Sequence, residues 1–264
     1  VLLATWNVNS LKVRLPRVLE FLELHRPDVV CLQETKVAPE AFPEAELARA
    51  GYGATHHSGG RWGGVAILAR HPLEPEAALA GLPGEADPAE ARWCEATVGE
   101  LRIASVYVPN GRTLDSPEYP RKLTFLDAMV ARARSAAAGG EALLIAGDFN
   151  IAPADLDVYD PNAFAGGTHV SAPERKRLAQ MLDAGLVDAY RHLYPQEVGY
   201  TWWDYRQGHF HRKLGLRIDL WLIPSGLAGR LERCGIDRNF RKGQKPSDHA
   251  PLLLELIEPV FANA

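Results

Sequence analysis

The 264-residue chain carries little sulfur: three cysteines, Cys31, Cys94 and Cys234, and two methionines. An odd, widely spaced set of cysteines argues against a disulfide framework and for a reducing compartment. No stretch approaches the roughly 20 apolar residues that a membrane helix needs. The opening VLLATW is too short for a secretion signal and follows no basic stretch. A cytoplasmic protein with no membrane partner is therefore expected. Internal repeats and low-complexity linkers are missing as well. So is an excess of positive charge, with 33 acidic against 29 basic side chains and a net charge of -4. Taken whole, that balance counts against a nucleic-acid partner.

What remains is an ordinary globular composition, 47% hydrophobic and 23% charged. Residues 72–92 read as a surface loop, and 153–172 as a second irregular stretch. Neither separates two self-sufficient apolar halves, so one domain over residues 1–264 is expected. Buried strands are read at residues 2–6, 28–32, 64–68, 101–108, 142–146, 218–223 and 252–256. Leu15, Val18, Leu19 and Leu22 mark one face of a helix that Pro27 ends. Leu123, Leu126, Met129, Val130 and Ala133 mark a second helix. Ser171 and Glu174 have the spacing of a capping box ahead of a third, with Gly185 as its stop. Many strands, few helices and short connections predict packed sheets with helices outside.

Polar residues follow the strands repeatedly. Asn7 and Asn9 follow Trp6, Glu34 and Lys36 follow Leu32, Asn110 follows Tyr107, and Asp148 and Asn150 follow Ala146. Asp219 opens one late strand, and Asp248 and His249 precede the last. Alone, each fits a bland role: a turn residue, a core tyrosine, or an ion pair between Asp219 and Arg217. Together they supply an oxygen-rich crevice at converging strand ends. Hard oxygen donors without paired cysteines favour Mg²⁺ or Mn²⁺ over Zn²⁺. Carboxylate-bound Mg²⁺ shares its shell with phosphate, which makes phosphodiester hydrolysis the natural reaction class. His56 and His57 read as loop residues, and Asp155 and Asp157 as turn residues.

Seven segments in order, WNVN from Trp6, LQETK from Leu32, YVPNG from Tyr107, GDFN from Gly147, TWWDYR from Thr201, GLRID from Gly215 and PSDH from Pro246, resemble the exonuclease III family of abasic-site endonucleases. The resemblance spans Trp6 to about Leu256. It implies an α/β fold, a four-layer sandwich of two mixed sheets face to face with helices outside. The implied activity is Mg²⁺-dependent hydrolysis 5′ to abasic sites in duplex DNA by a monomer. Action at 3′ ends, as a 3′–5′ exonuclease and end-cleaning enzyme, accompanies it. Glu34 is then the principal metal ligand with Asn7 near it, and Asp248, Asp148, Asn150 and His249 complete the metal region. Asp148 orients or deprotonates the attacking water, and Asn150 supports it. His249 contacts the phosphate, Asp219 holds His249, and Tyr107 aids the leaving group. Trp202, Leu216 and Ile218 match an apolar pocket for a flipped-out sugar, and Arg206 and Asn110 stand beside the substrate. A phosphatase for a small phosphorylated ligand and a non-catalytic DNA-binding relative are the alternatives.

The charge is unevenly spread. Residues 206–264 hold 10 basic and 6 acidic side chains, against 19 and 27 before them. Arg212, Lys213, Arg217, Arg238, Arg241 and Lys242 fall in this last part, so a local positive field for DNA is expected there.

Overall fold

The computed structural model describes residues 1–257. Among them, two six-stranded sheets lie face to face. The first runs in the order β11-β12-β1-β2-β4-β3 and the second β5-β6-β7-β8-β10-β9. Here β1 is Leu2–Asn7, β2 Val29–Gln33, β3 Tyr52–His57, β4 Val65–Arg70, β5 Glu76–Ala80 and β6 Trp93–Val98. The remaining strands are β7 Leu101–Tyr107, β8 Leu143–Asp148, β9 Leu186–Asp188, β10 Asp219–Pro224, β11 Leu231–Ile236 and β12 Leu252–Leu256. Both sheets are mixed. In each the parallel pair is central, β1 with β2 and β7 with β8, and the other pairs are antiparallel.

Three apolar clusters make four layers. Between the sheets, Val29, Cys31 and Ile67 meet Cys94, Ile103 and Trp221. The outer face of the second sheet is covered by helices Glu118–Gly139 and Ala172–Asp183, through Phe125, Met129, Leu178 and Met181. The outer face of the first is covered by helix Leu11–His25 and by Phe42, Leu47 and Phe240. Strands buried on both faces carry no polar alternation, which is why β1, β2, β4 and β8 read as continuous apolar runs. All three cysteine thiols and both methionines, Met129 and Met181, lie inside these clusters. No helix of the described residues is long and apolar enough to cross a membrane.

The capping box forms as the sequence predicts. Ser171 Oγ accepts from the Glu174 amide, and the Glu174 carboxylate accepts from the Ser171 amide at 2.9 Å. The first helix starts at Leu11 rather than Leu15 and stops at His25, with Arg26 in a left-handed cap just before Pro27.

Several readings need correction. Residues 72–92 are not all loop, because β5 lies within them and pairs with β6. All five β5 residues are exposed at a sheet edge, so no apolar periodicity announces the strand. His56 and His57 belong to β3 and pair with Ala66 and Val65. Asp157 does lie in a short turn, Asp155–Asp157, but not a solvated one. It is fully buried and accepts from Arg217 Nε at 2.7 Å and Arg191 Nη2 at 2.5 Å, while Arg217 Nη1 also reaches Asp188 at 3.0 Å. Arg217 therefore pairs with these two carboxylates and not with its near neighbour Asp219.

This ion-pair group ties the irregular stretch to the start of β10. Arg217→Met leaves buried carboxylate charge behind and is expected to cost about 3–5 kcal/mol. Glu76→Ala on exposed β5 is expected to stay within about 0.5 kcal/mol of wild type. Urea denaturation of the two variants checks both figures, and equal midpoints would contradict them.

Candidate active site

The two parallel pairs end on the same side of the sandwich. In the first sheet Asn7 ends β1 opposite Gln33, and Glu34 follows β2. In the second, Tyr107 ends β7 opposite Asp148, which ends β8, and Asp219 opens β10 opposite the same Asp148. The register thus delivers five of the expected groups to one crevice. Gly147 is required for it: its φ is +147°, and a Cβ there would stand 2.0 Å from the Val106 carbonyl oxygen.

Asn7 joins the two sheets. Its Nδ2 donates to Glu34 Oε1 at 2.8 Å and to Asp148 Oδ2 at 2.9 Å, while its Oδ1 accepts from the Asn9 amide at 3.0 Å. Ser247 Oγ holds the Asn7 carbonyl at 2.7 Å. The other oxygen of Asp148 accepts from the Asn150 amide at 2.9 Å, and Asn150 Nδ2 donates to the Val108 carbonyl at 2.9 Å. Asn150 and Glu34 both hold left-handed backbones, with φ of +50° and +49°. Asn110 Nδ2 reaches Asn150 Oδ1 at 3.4 Å.

His249 completes the crevice. Its Nδ1 bonds Asp219 Oδ2 at 2.8 Å, and its Nε2 lies 3.7 Å from Asp148 Oδ2. Thr201 Oγ1 fixes the start of β10 by accepting from the amides of Ile218 and Asp219, each at 3.1 Å. Burial opposes charge on the ring, but the carboxylates of Asp219 and Asp148 prevail and raise His249 to about 10. Asp148 is only 1% exposed. Burial raises it to about 7, against the pull of His249 and helped by the charges of Asp219 and Glu34. Burial, with Glu34 and Asp148 nearby, pushes the Tyr107 hydroxyl well above its ordinary value, and Arg92 stacks over the ring at 4.7 Å.

Glu34, Asp148 and His249 each offer a ligand atom, all within 4.8 Å of one another. A hard divalent cation fits this donor set, since oxygens from two carboxylates crowd one point and one is buried enough to favour its proton. Lys36 Nζ stands 2.7 Å from Glu34 Oε2 and also donates to Asn9 Oδ1, so it serves the site and not the outer surface. Asp248 falls outside the group. Its two oxygens accept from Asn9 Nδ2 and Trp202 Nε1, each at 3.0 Å.

The apolar patch is present but closed. Leu216 and Ile218 are 0% and 2% exposed, packed with Ala152 and Val158, and Trp202, Phe164 and Val170, themselves partly buried, pack against them. Arg206 is a surface group, its side chain 84% exposed and paired with Asp204. Two members of the expected basic track lie inside. Arg217 is buried among carboxylates, and Arg241 stacks over Tyr205 and Phe210 with Nη2 on the Trp203 carbonyl. Arg212, Lys213, Arg238, Lys242 and Lys245 are exposed.

Some groups escaped sequence reasoning. His169 Nδ1 meets the Asn150 carbonyl at 2.7 Å, and burial together with Lys122 lowers its ring to about 4. Its stretch carries no legible motif. Lys122 lies inside a helix that otherwise shows its apolar face to the sheet, and Thr201 and Ser247 act only through hydroxyl contacts that spacing does not reveal.

The model of the endonuclease/exonuclease/phosphatase family matches residues 4–249. The chain is 34% identical over 263 residues to exodeoxyribonuclease III of Haemophilus influenzae, covering 95% of this chain and 98% of that one. A Neisseria 3′ phosphatase bound to a product DNA hairpin superposes with a TM-score of 0.94 at 39% identity, over 97% of this chain and 99% of that one. An AP endonuclease from Archaeoglobus fulgidus superposes with a TM-score of 0.92 at 34% identity and the same coverage. With a match across nearly its whole length, this chain belongs to the endonuclease/exonuclease/phosphatase family and is a nuclease of its exonuclease III type.

Proposed function

We propose that the protein is a divalent-cation-dependent DNA repair nuclease that hydrolyses the phosphodiester 5′ to abasic sites in duplex DNA and trims 3′ ends. One observation carries it: Glu34, Asp148 and His249 converge within 4.8 Å at the shared end of two sheets. Every group of the centre comes from one chain, which supports a monomer built as one catalytic domain. Glu34 and Asp148, with the Asn7 amide between them, would hold Mg²⁺, with Mn²⁺ as a substitute. The cation, when bound, supplies positive charge against the charge that develops on the phosphate.

The chain's own residues account for the rest. Asp148 accepts a proton from the attacking water, its carboxylate held in place by the Asn150 amide on one oxygen and the Asn7 amide on the other. His249, kept cationic by Asp219, donates Nε2–H to a non-bridging phosphate oxygen. As the bond from phosphorus to the 3′ oxygen breaks, Tyr107 is placed to give that oxygen a proton. Its raised value means that the hydroxyl still holds its hydrogen when the oxygen leaves.

A second reading puts 3′-end processing first. The closed packing of Leu216 and Ile218 leaves little room for an extrahelical sugar, and the Neisseria relative is described as a 3′ phosphatase. The two readings differ in which substrate turns over faster.

A duplex with one abasic site and a nicked duplex bearing a 3′-phosphate decide between them. Cleavage of either is expected to need Mg²⁺ or Mn²⁺ and to fall about 100-fold or more in Glu34→Ala and Asp148→Asn. Full activity in excess EDTA would overturn the reading.

The metal-free protein has a defined pH response. The Asp148 carboxyl holds its proton more tightly folded than unfolded, so its burial costs nothing at low pH and is felt fully above about 7. The contribution of His249 is complete below the ordinary histidine value and is lost as pH rises through about 10. Both act in one direction, so stability from this site falls as pH rises. Mn²⁺ should therefore raise Tm more at pH 8 than at pH 5 by differential scanning fluorimetry. Equal shifts at the two pH values would place the cation elsewhere.

Lys242 and Lys245 are exposed beside the Ser247 loop, whereas Arg241 is buried. The paired change Lys242→Ala with Lys245→Ala is expected to lower the salt slope of DNA binding by about 2, roughly one per phosphate contact. Arg241→Ala is expected to show as lost stability instead, and a filter-binding titration across salt separates the two.

A further inference from the structure

One fully buried ionic pair has no part in the mechanism so far. Lys122, on helix Glu118–Gly139, and Glu174, in the first turn of helix Ala172–Asp183, are both 0% exposed, with Nζ 2.5 Å from Oε1. Burying an ammonium costs free energy that an apolar side chain at the same place would not. Its contacts supply a reason. Nζ donates to the Asn150 carbonyl at 2.7 Å and lies 3.2 Å from both the Asn110 carbonyl and Thr168 Oγ1. Thr168 Oγ1 lies 2.9 Å from the same Asn110 carbonyl and 2.8 Å from Glu174 Oε1. Glu174 in turn accepts from the amides of His169 at 3.1 Å and Ser171 at 2.9 Å. The loop after β7, the loop after β8 and residues 168–171 therefore converge on a single ammonium.

Asn150 is the sensitive point. Its backbone is left-handed, its amide holds Asp148 Oδ1, and its carbonyl accepts from Lys122 and meets His169 Nδ1. A left-handed asparagine stays in place only where its surroundings determine it. Fixing the carbonyl on one side of its Cα fixes the amide on the other. With Oδ1 tied to that amide, Oδ2 is left facing Asn7 and His249.

We propose that Lys122, with Glu174 as its buried counter-ion, is a positioning residue for hydrolysis, clamping the Asn150 carbonyl and so holding the turn whose amide orients Asp148. The kinetic part of this rests on the nuclease reading above; the structural part stands without it.

The test compares Lys122→Met, Glu174→Gln and the double variant with wild type. Lys122→Met alone strands a buried carboxylate and should lower Tm, while the double variant carries no unpaired charge and should recover much of it. Glutamine still serves the capping box. In the double variant, kcat on abasic or 3′-phosphate duplex should fall about 10- to 100-fold with KM within about twofold, as for a displaced reacting group. In metal-free protein, the backbone amide resonances of Asn150 and Asp148 should move, while signals from β3 and β4 stay in place. A double variant with wild-type kcat and an unmoved Asn150 amide would overturn the proposal. So would one that cannot fold at all, since the pair would then serve stability alone. If wild type itself cleaves neither duplex, the nuclease reading fails, and the Asn150 resonance still decides whether Lys122 holds the turn.

Discussion

Two carboxylates from different sheets share the side-chain amide of Asn7, and the rest of the site follows from that contact. Glu34 arrives on one sheet and Asp148 on the other, so their approach is set by sheet packing and not by either strand alone. Bringing them together below the surface is unfavourable for two anions. The amide offsets part of that by lending a hydrogen to each. His249 and Lys36 offset more, one against Asp148 and the other against Glu34. Burial first, and then the charges of Asp219 and Glu34, still leave Asp148 with a raised proton affinity. A centre poised in this way has use for a hard cation, a phosphate and a proton in one small volume.

Most of that centre was legible in the sequence, and the limits have physical causes. Asn7, Glu34, Tyr107, Asp148, Asp219 and His249 all stand where a buried strand begins or ends, and an apolar run stopping at a polar residue is a local signal. The sheet order is not local. Nothing in residues 76–80 separates a fully exposed edge strand from a loop, so β5 was invisible. Side-chain partners are less local still. Arg217 sits two residues from Asp219 yet bonds Asp157, 60 positions away. Asp248 is next to His249 yet turns to Asn9 and Trp202. The same limit explains the basic track, because a count of arginines by position cannot tell Arg241, folded under two aromatic rings, from Lys242 beside it.

Buried ionic groups secure the sheets and the loops that carry the crevice. Arg217 with Asp157 and Asp188 secures the start of β10, and Glu95 with Arg102 and Arg132 secures the middle of β6. Lys122 with Glu174 secures the loops after β7 and β8. Apolar replacements would serve stability as well or better in such places. Charged groups add direction, since a guanidinium or ammonium accepts only a few arrangements of carbonyls and carboxylates around it. The sheets supply the rigid platform, and these pairs set the angles of the loops that rise from it.

The thiols and thioethers described with the core have a consequence for the life of the molecule. Burial drives the Cys94 thiol up to about 12, and the Cys31 and Cys234 thiols rise for the same reason, so none offers the thiolate that peroxide attacks. Met129 and Met181 are sealed at 0% exposure beneath the helices of the second sheet. The folded chain thus presents oxidants with no accessible sulfur.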